Sequence, residues 1–203
     1  LSKNIVVAAR GGSDPDTNFQ LRMAMDKARA LSMPKDNIER AIKKGSGEDE
    51  GGHIESLLYE GYGPGGVAII IEVLTDNKNR AISNIKHILS KRGGNLGNDG
   101  SVKWMFETKG EIVLDKKEIN EDEELKIIEA GAEDIVNDEE IKIITSIDDL
   151  EKVKNQLQEF GFDVKTSDMI YLAKDKVEAK DEEKLLGLLD ALDDDDDINN
   201  IYT

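Results

Sequence analysis

The sequence contains no cysteine. That excludes a disulfide framework, a thiolate metal site and a cysteine nucleophile. Two histidines, His53 and His87, are too few for a histidine-rich metal centre. Prolines number only three in 203 residues, and aromatic side chains make up 4%. No apolar run approaches the ~18 residues needed to span a bilayer. No signal peptide is visible, so a cytoplasmic protein without membrane contact is expected. The signatures G-x-S-x-G, H-E-x-x-H and the P-loop are missing. Carboxylates are abundant, but no pair stands out by its spacing. We therefore expect no catalytic residue, no cofactor and no metal, and a protein that is not an enzyme.

What the chain does have is charge, unevenly placed. Asp and Glu total 44 against 27 Lys and Arg, a formal net charge of −17. Residues 1–45 nevertheless carry +4, while residues 110–203 carry −19. Such asymmetry hints at separate binding and solubilising regions. Apolar runs such as "VAIIIEVL" rule out general disorder.

The basic excess is concentrated in "MPKDNIERAIKKG", residues 33–45. It reads as a short helix. Pro34 fits the first turn. Asp36 and Glu39 suit the positive end of the dipole, and Lys43 and Lys44 the negative end. Gly45 is read as a left-handed stop. Ile38, Ala41 and Ile42 form an apolar stripe, with Arg40, Lys43 and Lys44 as a basic one. Arg22, Lys27 and Arg29 on the preceding segment, with Lys35, bring the cations to seven within 23 residues. Two readings stay open. Cations release counterions on meeting phosphates, which drives sequence-independent nucleic-acid binding. Alternatively the face is simply solvated, with i,i+4 pairs Asp36–Arg40 and Glu39–Lys43.

Three other stretches need weighing. "GYGPGG" has the G-x-G-x-x-G spacing, but it precedes a strand and contains Pro64, so it is read as a glycine turn entering a sheet, not a dinucleotide site. "SKRGGNLGNDGSVKW", residues 90–104, carries Lys91 and Arg92 beside glycine amides that could hold phosphate. The residues favour a helix stop followed by a flexible turn, with Trp104 or Phe106 in the core. "DDDDD", residues 193–197, lacks the ligand alternation of a calcium loop and reads as a solvated acidic loop.

Along the chain, residues 1–45 look all-helical, with Asn18 or Thr17 capping a helix over about 18–31 that turns Phe19, Met23 and Leu31 inward. "GSGEDEGG", residues 45–52, reads as a linker. A buried strand follows in 65–77, then an amphipathic helix with Ile82, Ile85, Ile88 and Leu89 inward and Gly93 as its stop. "SVKWMFETKGEIVLD" is expected to be strand, turn, strand. "EDEELKIIEAGAEDI" is read as a helix, "EIKIITS" a strand, "DDLEKVKNQLQEFGF" a helix and "MIYLAKDKV" a strand. A last helix and "INNIYT" close the chain. This order predicts an α+β fold: a helical N-terminal domain followed by two small α+β domains, the third inserted into the second. The expected bounds are 1–57, then 58–112 plus 175–203, with 113–174 inserted. Leu1 opens in what reads as mid-helix, so we expect a missing start.

The motifs "VAAR-GG-DP", "MPKDNIERAIKKG-G", "YEGYGPGGVA", "GGNLG--GSV-W-F" and "N-IYT" resemble the YebC family. That family is described as probable transcriptional regulators, with mitochondrial relatives that are translational activators of cytochrome oxidase. The resemblance covers nearly the whole chain. It implies a three-domain fold of the kind above and a non-enzymatic role in gene expression. The partner it implies is nucleic acid, either promoter DNA or ribosomal RNA on the ribosome. A protein-binding adaptor is the remaining alternative. Members usually begin with a basic segment resembling "GHSKW…K…RGK", which this sequence lacks, and many have proline where Phe19 stands. The candidate nucleic-acid contacts are Arg22, Lys27, Arg29, Lys35, Arg40, Lys43 and Lys44, with Lys91 and Arg92 as a second patch. No groove-reading motif accompanies them.

Overall fold

The structure, a computed structural model, describes residues 1–47, 54–177 and 179–203. Most of the expected linker at 45–52 lies outside the described residues. Among them the fold is mixed α+β, with seven α-helices and two four-stranded antiparallel sheets. The chain forms two compact units: Leu1–Ser46 with Thr108–Ile170, and Gly47–Glu107 with Tyr171–Thr203.

In the first unit, α1 (Ser2–Ala8), α2 (Phe19–Ala30) and α3 (Lys35–Gly45) form the helical head. Ile5, Val6, Leu21, Met25, Ala28, Ile38 and Ala41 are buried in it. Asn18 caps α2 as expected, its side chain accepting from the Leu21 amide at 3.1 Å. Leu31 departs from expectation and is exposed, because α2 ends at Ala30 and the turn carries Leu31 off the apolar stripe. Gly45 also differs. It is the last residue of α3, not a left-handed stop. A Cβ there would come within 2.7 Å of the Ala9 Cβ and nearer still to the Val6 carbonyl oxygen. The position is therefore small so that α1 and α3 can meet.

The rest of this unit is β4 (Phe106–Leu114), α5 (Glu121–Ala130), β5 (Asp134–Asn137), β6 (Ile141–Thr145), α6 (Leu150–Glu159) and β7 (Val164–Ala173), in sheet order β5-β6-β4-β7. The division between units falls within β4 and within β7. Ile112, Leu114, Ile127, Ile141, Ile143, Leu150, Val153 and Leu157 form its core, against which Phe19 and Met23 also pack. Two expectations fail here. "EDI" is not the end of a helix, because Gly131 stops α5 in the left-handed region (φ 105°) and releases Asp134–Asn137 as a strand beside β6. The strand, turn, strand expected over "SVKWMFETKGEIVLD" is instead a 3-10 turn, Lys103–Met105, that leads into a single strand. Phe106–Leu114 is one strand, and a Cβ on Gly110 would meet Thr145 Oγ1 at 2.5 Å and Leu150 Cδ1 at 2.7 Å. Here glycine marks close approach, not a turn.

In the second unit, β1 (Glu55–Tyr62), which the sequence reading left unassigned, pairs with β2 (Ala68–Thr75) as an antiparallel hairpin. "GPGG" is its connection, with Gly65 at φ 76° and Gly66 at φ 84°. β3 (Asn95–Leu96) flanks β1, and β8 (Ile198–Tyr202) flanks β2. Alternation along β2 explains its continuous apolar run. Ile69, Ile71 and Val73 face α4 (Lys78–Lys91) and α7 (Glu182–Asp193), while Ile70 joins Val102 and Phe106 on the other face. The acidic loop before β8 is not wholly solvated. Asp197 is buried and accepts from the Arg80 guanidinium at 2.8 to 3.1 Å.

Candidate nucleic-acid interface

The predicted cations fall into three groups. Those of α2 are engaged with carboxylates of the same unit. Lys27 Nζ lies 2.8 Å from Asp168 Oδ2, and Arg22 Nη2 3.4 Å from Glu151 Oε1. Arg22 also donates to the Pro15 carbonyl and lies over the Phe19 ring. Asp26 joins Arg29, at 3.1 Å, to the buried Lys154, also at 3.1 Å. Beside Asp168, burial pushes the Glu111 carboxyl above the ordinary range, Lys142 opposing and Asp168 reinforcing the shift. The α2 cations thus sit in an ion-pair network against acidic elements.

The cations of α3 are placed differently. Ile38, Ala41 and Gly45 face the head's interior. At 100° per residue, Arg40, Lys43 and Lys44 fall on the opposite side. Arg40 and Lys43 are exposed and Lys44 half-buried. The expected pairs Asp36–Arg40 and Glu39–Lys43 do not form. Arg40 donates instead to the Asp36 carbonyl and to Asn37 Oδ1, while Glu39 pairs with Lys35 at 3.6 Å. The first turn of α3 engages Arg40 with backbone and amide oxygens, which among the described residues leaves its charge uncompensated. Among the described residues, no carboxylate lies within ion-pair distance of Lys43 or Lys44. Both lysines also complement the carbonyl end of α3.

The second patch is in the other unit. Lys91 is exposed at the end of α4, whereas Arg92 Nη1 donates to the Gly187 carbonyl of α7 at 2.6 Å. They line one shallow cavity with Gly93, Lys184, Asp181 and Glu183, so two carboxylates share its rim.

The glycine-rich loop after α4 is the clearest revision. Three of its amides are already occupied by a carboxylate. Glu60, buried in β1, accepts from the amides of Gly100 (2.6 Å), Val102 (2.7 Å) and Lys103 (2.8 Å). Burial by itself would raise its pKa. The three amides outweigh that and hold the carboxyl below its usual range. The nest is real, but the protein supplies its own anion. The signal in the sequence was a lone acid inside the otherwise uncharged run "SLLYEGY". Of the two aromatics offered for the core, Phe106 is buried, while Trp104 is 65% exposed.

Comparison with known proteins covers the described fold almost completely. Residues 54–203 match the family model described as TACO1/YebC second and third domain, and residues 1–48 match the TACO1/YebC protein N-terminal domain. A probable transcriptional regulatory protein of Natranaerobius thermophilus is 50% identical over 100% of this chain and 84% of its own length. One of Halothermothrix orenii, with the same description, is 47% identical over 100% and 83%. The crystal structure of a conserved hypothetical protein from Aquifex aeolicus superposes with a TM-score of 0.92 at 42% identity, covering 99% of this chain and 85% of that one.

Proposed function

The chain belongs to the TACO1/YebC family, and from that premise we propose that it is a non-enzymatic regulator of gene expression that holds nucleic-acid phosphates on the outer face of α3. The name carried by its relatives, probable transcriptional regulatory protein, supports a regulatory role and favours DNA as the phosphate source. The observation that carries the reading is the contrast within the head. Among the described residues, Lys43 and Lys44 stay clear of carboxylates, while neighbouring α2 cations are paired. Free cations of this kind attract phosphate through counterion release. A helix that presents them without a groove-reading motif suits shape and charge recognition, so ribosomal RNA is the alternative ligand. A cytoplasmic site of action fits both. No helix among the described residues is long and apolar enough to cross a membrane.

The test is the triple variant R40Q/K43Q/K44Q, titrated against duplex DNA and against a structured ribosomal RNA fragment. Folding should be retained. Affinity should fall for the true ligand, and its log–log salt slope should become shallower by about 2 to 3 for DNA. Unchanged affinity and slope for both ligands would remove α3 from the interface.

A further inference from the structure

A groove of about 720 Å³ lies within the second unit. Trp104, Met105, Phe106 and Tyr171 line it, with Lys174 and Lys176 among the charged residues at its side. Trp104 is the chain's single tryptophan. An indole left 65% exposed on a chain with so few aromatics is a feature that core packing does not explain.

Its position is braced. The Glu60 carboxylate binds the amides of Val102 and Lys103, the two residues that immediately precede Trp104. The Ser101 carbonyl accepts from the Trp104 indole Nε1 at 3.1 Å and from the Tyr62 hydroxyl at 3.0 Å. The Met105 carbonyl accepts from the Lys174 amide at 2.9 Å, tying the turn to the end of β7. The ring's polar edge is thus satisfied by the protein, and what remains for a ligand is an apolar face. Lys174 and Lys176 are exposed, and among the described residues neither forms an ion pair. A fixed aromatic face beside two unpaired cations matches the recipe for a base flanked by phosphates.

We propose that Trp104 is a stacking platform for an unpaired base of single-stranded RNA, with Lys174 and Lys176 meeting the adjoining phosphates. RNA is the nucleic acid whose loops and ends present such bases, and a duplex keeps its bases stacked on one another. The proposal rests on the nucleic-acid reading above and adds a second contact of different chemistry.

Because Trp104 is the only tryptophan, intrinsic fluorescence reports on it alone. The full chain is titrated with a short mixed-sequence single-stranded RNA, and with the same RNA annealed to its complement. The single strand should quench the emission, and the duplex should not. Trp104→Ala should weaken single-strand binding about tenfold, measured by anisotropy of a labelled RNA, with Trp104→Phe between it and the parent. K174Q/K176Q should weaken binding and flatten its salt slope while leaving some quenching at low salt. If the single strand binds in an α3-dependent manner without quenching, the platform is refuted while the α3 reading stands, and the groove passes to a protein ligand. Equal quenching by the duplex refutes it as well. If the parent chain binds neither RNA nor DNA, both readings fall. Should Trp104→Ala lose its native circular dichroism, the quenching data and the Trp104→Phe variant decide.

Discussion

Helices α2 and α3 stand next to each other in the chain and look alike in composition. α2 contributes Arg22, Lys27 and Arg29, and α3 contributes Lys35, Arg40, Lys43 and Lys44. In the fold, Arg22 and Lys27 reach Glu151 and Asp168, residues far along the sequence, and Asp26 draws in Lys154. Among the described residues, the α3 side chains meet no such distant acids. The same residue types therefore hold a unit together on one helix and remain available to a ligand on the next. A cluster of cations in a sequence does not reveal its task, because the partner that neutralises it can come from any distance along the chain.

The contrast can be broken most forcefully at Gly45. It depends on α3 pressing its apolar side against α1 while its cations point away. Gly45→Ala sets a Cβ against the Val6 carbonyl and Ala9. A gain in helix propensity of about 1 kcal/mol does not offset such a clash. A loss of roughly 2 to 3 kcal/mol in urea denaturation is expected. Nucleic-acid affinity should fall with it at temperatures where the head is displaced.

The same comparison is sharpened by neutralising the other helix. R22Q/K27Q/R29Q should cost about 2 kcal/mol of stability, since it strips several partly buried pairs and leaves Asp168 beside Glu111. Its affinity for DNA or RNA should stay within about twofold of the parent at fixed salt. If it instead lost affinity as R40Q/K43Q/K44Q is expected to, while remaining equally stable, the division of labour between the helices would be refuted.

The glycine-rich loop extends the contrast to an anion. Three of its amides look free in the sequence and are occupied in the fold, as the α2 cations are. Glu60→Gln replaces one acceptor oxygen by an amide donor facing backbone donors, and the loop should loosen by about 2 kcal/mol. Acid should do the same to the parent. The Glu60 pKa is depressed in the folded state, so its contribution is complete above the ordinary carboxyl range. It is lost as pH falls through the lowered folded value. Trp104 emission should report the transition, and Glu60→Gln should abolish that pH step.

The smallest effect belongs to Lys35, whose side chain is 87% exposed and pairs with Glu39 at 3.6 Å. Lys35→Gln should leave thermal stability unchanged within error. A clear drop in nucleic-acid affinity would show that the ligand reaches the first turn of α3.

Much of the architecture was legible because it rests on local rules. The apolar run of β2, the stripe of Ile85 and Leu89 on α4, the Asn18 cap and the Gly93 stop all announce themselves within a few residues. The failures have a common cause. Gly45 was expected to be a helix stop and a turn was expected within "SVKWMFETKGEIVLD", yet Gly45 and Gly110 are each small because a distant segment, Val6–Ala9 or Thr145–Leu150, crosses at that point. β1 carries little alternation in its burial and is recognisable mainly by its pairing with β2.

For the candidate site, the sequence alone determined which residue types were present, that α3 would have one apolar and one basic side, and that no cysteine chemistry was possible. Only the tertiary structure decided which charges were spent. It closed Lys27 on Asp168, filled the amide nest with Glu60, and left Trp104 outside the core that took Phe106. The physical reason is one of range. Helix periodicity and capping act over a few residues, whereas burial and charge neutralisation are settled by whichever segments the fold brings within a few ångströms.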